Sequence, residues 1–178
     1  MRVATREKTQ SRLKAWGARL AGAGVAAAMA VGVAASPALA AAVTPVLLPN
    51  QNPPQECPDT AINPVALRVF PSATNPQQFL VPIPNDGNGS ITVTFSQVMG
   101  ADPNTQVAFT TSGGVAVSQV TVKGGDNANR YFYNAQTGFP NGLAMDSGLI
   151  SPLNNGGQLP TISHVDFCFV ESPYNGGA

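Results

Sequence analysis

The chain has 178 residues, with nine Lys and Arg against nine Asp and Glu, one His, two Cys and one Trp. The even charge balance hides an asymmetry. Arg2, Arg6, Lys8, Arg12, Lys14 and Arg19 all lie before residue 20, which leaves Arg68, Lys123 and Arg130 against eight acids beyond residue 40, a net charge of minus five (three minus eight). Three scattered bases on an acidic body exclude a nucleic-acid-binding class, because neutralising phosphates takes a basic patch or stripe.

The basic start is followed by residues 20–35, uncharged and rich in Ala and Gly, and then by Ser36-Pro37-Ala38-Leu39-Ala40. A basic region, an apolar run and a small-x-small site in that order are the pattern of a secretory leader. Residues 1–40 therefore read as a signal peptide cut after Ala40, with a cut after Ala42 as the alternative. There is no Arg-Arg pair to indicate a twin-arginine route. The uncharged run approaches the ~20 residues that span a bilayer, so a membrane partner follows only if the leader is retained. Export to the medium or the cell surface is the expected localisation. It places Cys57 and Cys168, an even count, where a disulfide between them is the default. In the chain-entropy model, closing a loop of about 110 residues contributes at most about 4.7 kcal/mol.

Residues 41–64 carry Pro45, Pro49, Pro53, Pro54, Pro58 and Pro64. Proline fixes φ and removes a backbone donor, so this segment is predicted to be a linker, neither helix nor central strand, that becomes ordered near Cys57. Residues 65–70 form a short strand with Val65, Leu67 and Val69 on one face, and residues 78–81 form a second, ended by Pro82 and Pro84. Residues 85–89, Asn-Asp-Gly-Asn-Gly, are a turn cluster. Residues 90–96 alternate Ile91, Val93 and Phe95 with hydroxyl residues, the pattern of a sheet with one wet face. Residues 106–110 follow with Val107 and Phe109 inward, and Ser112-Gly113-Gly114 is a hairpin-type connection. In residues 115–123 the inward set changes from Val115 and Val117 to Val120 and Val122, which predicts a β-bulge near Ser118 and Gln119. After a Gly124-Gly125 turn, residues 130–134 put Tyr131 and Tyr133 on one side. Residues 135–159 read as a long loop, an uncommon feature in a compact domain. Residues 162–170 close the domain, with Val165, Phe167 and Phe169 on one face and His164, Asp166 and Cys168 on the other. Residues 171–178 read as a flexible tail.

Seven or so short strands with no capped helical run predict an all-β domain over residues 65–170, an antiparallel β-sandwich with an immunoglobulin-like arrangement or a partly open barrel as variants. The Cys-Trp-Cys arrangement of a true immunoglobulin domain is absent.

The series Val122-Lys123-Gly124-Gly125, Asn127-Ala128-Asn129, Tyr131-x-Tyr133, Asp146-x-Gly148-Leu149, Ser151-Pro152, Asn154-Asn155-Gly156 and Ile162-Ser163-His164-Val165-x-Phe167-Cys168 resembles a module of exported bacterial proteins of unassigned function. The likeness covers about fifty residues, 120–169, and not the N-terminal half. It implies a secreted β-domain and no catalytic residues. Residues 139–143 depart from it by lengthening the segment before Asp146.

His164 and Asp166 share a strand face, and a His–Asp pair suits a general base. However, Ser151 and Ser163 lack a nucleophile-elbow context, and Ser163 faces the other way. The alternative role for His164 is to bond Asp166 or a loop carbonyl and pin the long loop. One His and two bonded cysteines supply too few ligands for zinc. Asp126, Asn127, Asn129 and Asp146 offer oxygens for calcium at a spacing that fits no standard calcium loop. Lys123-Gly124-Gly125 lacks the following helix of a phosphate loop, so Lys123 and Arg130 are expected as solvated charges at the ends of a turn. Tyr131 and Tyr133 either stack on a sugar or partner from a wet face, or fill the core with their hydroxyls bonded to the long loop. Lys123, Tyr131, Tyr133, Asp146, His164 and Asp166 are thus the candidate binding or loop-pinning residues, and no cofactor is called for. The expected function is a non-enzymatic secreted or surface-associated domain that binds a protein, a glycan or the cell envelope. A structural coat component and a small extracellular hydrolase using His164 and Asp166 are the alternatives.

Overall fold

The computed structural model describes residues 41–49, 52–84 and 87–173. The predicted leader, residues 85–86 of the turn cluster and the end of the tail lie outside the described residues.

Strict alternation gives the first sheet. β4 (Gly87–Ser96) buries Ile91, Val93 and Phe95, and β5 (Gln106–Ser112) buries Val107 and Phe109. β4 pairs antiparallel with both β5 and β3 (Gln77–Ile83), and β8 (Met145–Ile150) adds to the far side of β5. The second sheet holds β1 (Val46–Leu48), β2 (Leu67–Val69), β6 (Val115–Gly124), β7 (Asn127–Phe132) and β9 (Ile162–Glu171) in the order β1-β7-β6-β9-β2, also antiparallel. The inner faces of the two sheets form one core, in which Phe109 meets Phe167 edge-on at 5.8 Å and Tyr133 at 5.9 Å between ring centroids. Among the described residues the fold is a β-sandwich of nine strands, with no closed barrel.

The bulge in β6 is where the change of phase places it. Val117 pairs with Phe169 and Gln119 with Cys168, so Ser118 is the extra residue, and Val115, Val117, Val120 and Val122 all face the core. Several expectations are corrected. The proline-rich arm contains an edge strand: β1 is three residues long, bracketed by Pro45 and Pro49, and a sheet edge tolerates flanking prolines that a central strand does not. β3 likewise continues through Pro82, because an edge strand has backbone positions with no ladder partner to lose. Val65 is 61% exposed instead of inward. The arm folds back there, with Ala66 N–H donating to Gln55 O and Cys57 N–H to Pro64 O, which shifts burial to Ala66 and Val69.

The segment 135–159 is not one loop. It holds a single 3₁₀ turn at Ala135–Thr137, capped by Asn134, and then β8. Alternation fails to reveal β8 because Val107 pairs with Leu149 but Phe109 with Asp146, so a bulge interrupts a strand whose one buried side chain is Leu149. The Gly113-Gly114 turn is tight, both residues taking φ near +75° (73° and 79°), but it carries the chain from one sheet to the other instead of closing a hairpin. Glu171 belongs to β9, and Ser172 N–H donates to Gly114 O, so the tail begins later than expected.

Gly124 ends β6 where the β8–β9 connection packs against it. A Cβ there would lie 2.5 Å from Ser151 Oγ and 2.8 Å from Ser151 Cβ, and Ser151 is fully buried. Overpacking of this kind costs about 1–3 kcal/mol, so Gly124→Ala is expected to lower the urea midpoint by that much with an unchanged slope.

Candidate functional site

The chemistry-bearing side chains collect on the outer face of the five-stranded sheet. Cross-strand register sets Arg68 of β2 opposite Asp166 of β9, Asp166 opposite Thr121 of β6, and Thr121 opposite Arg130 of β7. The next row sets His164 opposite Lys123, and the row on the other side sets Cys168 opposite Gln119. In a sandwich this face is ordinarily wet. Here Asp166, Thr121, Gln119, Cys168 and His164 are all buried. The N-terminal arm lies against this strand: Cys57 is bonded to Cys168, with their Cα atoms 5.5 Å apart, and Ile62 N–H donates to Phe169 O.

A carboxylate buried on this face needs a partner. Arg68 supplies it with a two-pronged contact, Nε to Oδ1 at 2.7 Å and Nη2 to Oδ2 at 2.8 Å. The bond to Asp166 raises the Arg68 pKa despite its partial burial. Arg130, expected to be solvated, is half-buried and lies further from the turn than expected, its Nε donating to Thr121 Oγ1 at 3.1 Å. Burial lowers its pKa, and the charge of Asp166 opposes that shift. Lys123 donates to Gly125 O and so braces its own turn.

His164 does not pin the segment 135–159. Its ring lies beside Phe70 of the β2–β3 connection, with centroids 6.0 Å apart. Its Nε2 is buried without a hydrogen bond, 3.8 Å from Asp166 Oδ2. Desolvation holds its pKa below the ordinary imidazole value; the Asp166 charge opposes this, while Arg68 and Lys123 add to it. Ser163 Oγ lies 3.5 Å from His164 Nδ1 but donates to Lys123 O at 3.1 Å. Ser163, His164 and Asp166 are therefore neighbours without the hydrogen-bond relay of a nucleophilic triad: both oxygens of Asp166 are engaged by Arg68 and the serine proton is directed at a carbonyl.

Tyr131 and Tyr133 point the other way, into the core, each 1% exposed. The Tyr131 hydroxyl donates to Ile150 O at 2.9 Å and accepts from Ile150 N–H at 3.0 Å. The Tyr133 hydroxyl donates to Asp146 Oδ2 at 2.7 Å. Burial raises both phenol pKa values, and for Tyr133 the bond to Asp146 raises it further. Asp146 also accepts from Ser147 N–H at 2.8 Å and from Ala42 N–H, at 3.1 Å to one oxygen and 3.0 Å to the other. Its oxygens are thus taken by protein donors, and the Asn129 amide donates to Ile150 O. Among the described residues no group of three or more His, Cys, Asp or Glu is placed to hold a metal.

A shallow depression of about 360 Å³ lies elsewhere, lined by Gln78, Phe79, Leu80, Asn88, Ser90 and Ser112, and contains no titratable side chain. No family model, no curated protein and no solved structure matches the chain.

The residues that sequence reasoning passed over are Arg68 as the partner of Asp166, and Thr121 and Arg130 beside it. The available signal was scarcity, since an acid on a closing strand had only three bases beyond residue 40 to choose from. Removing one partner of a buried pair leaves an uncompensated charge and costs about 3–5 kcal/mol. Arg68→Met is expected to lose stability at the lower end of that range, because Arg130 still faces Asp166, and the loss should shrink in the Arg68→Met/Asp166→Asn double variant. The His164 pKa is depressed in the folded chain. Its contribution is therefore fully present above the unfolded value of about 6.5 and is lost as pH falls below it. Urea midpoints between pH 7 and pH 5 should fall less steeply for His164→Gln than for the parent.

Proposed function

We propose that the chain is an exported, non-enzymatic β-sandwich domain that acts by binding, in the medium or at the cell surface, with a protein, a glycan or an envelope component as its partner. The observation that carries this reading is the Cys57–Cys168 bridge, which fastens an N-terminal arm to the outer face of β9. A disulfide is compatible with an oxidising, extracellular setting, and it agrees with the leader pattern of residues 1–40. The resemblance of residues 120–169 to a module of exported bacterial proteins points the same way. The non-enzymatic part of the reading is supported by how the reactive groups are used: Asp166 is engaged by Arg68, and Tyr131, Tyr133 and Asp146 join strands. The hydrolase alternative loses its relay to the same contacts.

Fractionating producing cells into medium, envelope and cytosol tests this. The expected result is a leaderless chain in the medium or envelope whose intact mass rises by one pair of hydrogens on reduction. A full-length chain in the cytosol with both thiols free overturns it.

A further inference from the structure

Asp166 and Asp146 are the two carboxylates at the heart of the hydrogen-bond network, and they are treated differently. Asp166 has a guanidinium. Asp146 is half-buried and holds three neutral donors, Ala42 N–H, Ser147 N–H and Tyr133 O–H. Among the described residues no ion pair includes Asp146. The three bases beyond residue 40 are spent on the outer face of the other sheet: Arg68 and Arg130 stand in the Asp166 row, and Lys123 stands beside His164. Neutral donors orient a carboxylate without neutralising it. The one further cation that a processed chain offers is its own α-ammonium group.

The arm brings the start of the processed chain to this carboxylate. Val43 is 8% exposed and belongs to the core, Ala41 is packed against that core, and β1 holds the segment in register with β7 through Val46 and Arg130. Ala42 N–H bridges both oxygens of Asp146. We propose that Asp146 is the receptor for the processed N-terminus: hydrolysis of the Ala40–Ala41 bond frees an α-ammonium on Ala41 that pairs with the Asp146 carboxylate. The inference rests on the export reading above. A leader peptidase adds water across the bond, the hydroxyl going to the Ala40 carbonyl and a proton to the Ala41 nitrogen, which takes a second proton from solvent. Successive residues are about 3.8 Å apart, so the new charge lies one residue from an N–H already in contact with the carboxylate. Before the cut the same position carries only a neutral amide. A cut after Ala42 removes the bridging N–H altogether, so the seat distinguishes between the two small-x-small sites.

The test uses the protein recovered from the producing cells. N-terminal sequencing is expected to give Ala41. At neutral pH its α-amine is expected to react with an amine-acylating reagent about tenfold more slowly than that of Asp146→Asn, because a nearby opposite charge holds the amine protonated. Nα-acetylation of the parent is expected to lower the urea midpoint, and acetylation of Asp146→Asn to leave it nearly unchanged. If Asp146→Asn does not fold, the parent supplies the readout: its amine must be slower than that of an unstructured Ala-Ala-Val-Thr peptide. A chain that starts at Ala41 but acylates at the peptide's rate overturns the seat and leaves export standing. A chain that starts at Val43 overturns the seat as well. A chain that retains Met1 and stays in the cytosol overturns the export reading and the seat with it.

Discussion

The constraint on which the rest depends is that β9 is buried on both faces. A strand in a two-layer sandwich ordinarily gives one face to the core and the other to water. β9 gives Val165, Phe167 and Phe169 to the core and then hides His164, Asp166 and Cys168 as well. A second cover is therefore required, and it lies on the side of the sheet that carries Cys57. β6, its neighbour, is buried along almost its whole length for the same reason. Hydrophobic pressure alone does not select polar residues for such places; each buried polar atom must find a partner or cost free energy.

Most of the unusual chemistry follows from that burial. Buried Asp166 is tolerable because Arg68 meets it with both prongs. Buried His164, beside Phe70 of the β2–β3 connection, is tolerable because desolvation, with Arg68 and Lys123 nearby, favours its neutral form. The residues that resemble a catalytic set are thus the residues that a doubly buried strand forces into partnerships. Their proximity comes from the sheet register, and their unsuitability for nucleophilic catalysis comes from the same contacts that make their burial affordable.

The parts of the fold that were legible in the sequence are those where a single strand carries its own signal. Ile91, Val93 and Phe95 announce β4 without help, and the change from Val117 to Val120 announces a bulge because two apolar sets out of phase have no other simple explanation. The disulfide was legible by counting. β1 and β8 were not. β1 is three residues between prolines, too short for a period, and β8 hides its alternation behind a bulge and presents one buried side chain. The site was half legible. Lys123, Tyr131, Tyr133, Asp146, His164 and Asp166 stood out by type and spacing, but the partners of the two carboxylates include residues far off along the chain: Arg68 is 98 residues from Asp166, and Ala42 is 104 residues from Asp146. No local pattern encodes a contact that only strand register creates.

The arm is the element that joins these observations. It touches the sandwich at separated points: Ala42 on Asp146 of β8, β1 at the sheet edge beside β7, and Cys57 on Cys168 and Ile62 on Phe169 of β9. Each point holds a different layer or edge, so the arm spans both sheets. Its prolines suit that task, since a segment with restricted φ loses less conformational entropy when it is pinned at intervals. An arm fixed covalently at one end and by a carboxylate at the other orders the strands beneath it without a helix to cross the sheets, and it does so with the part of the chain that looks, by composition, least able to carry structure.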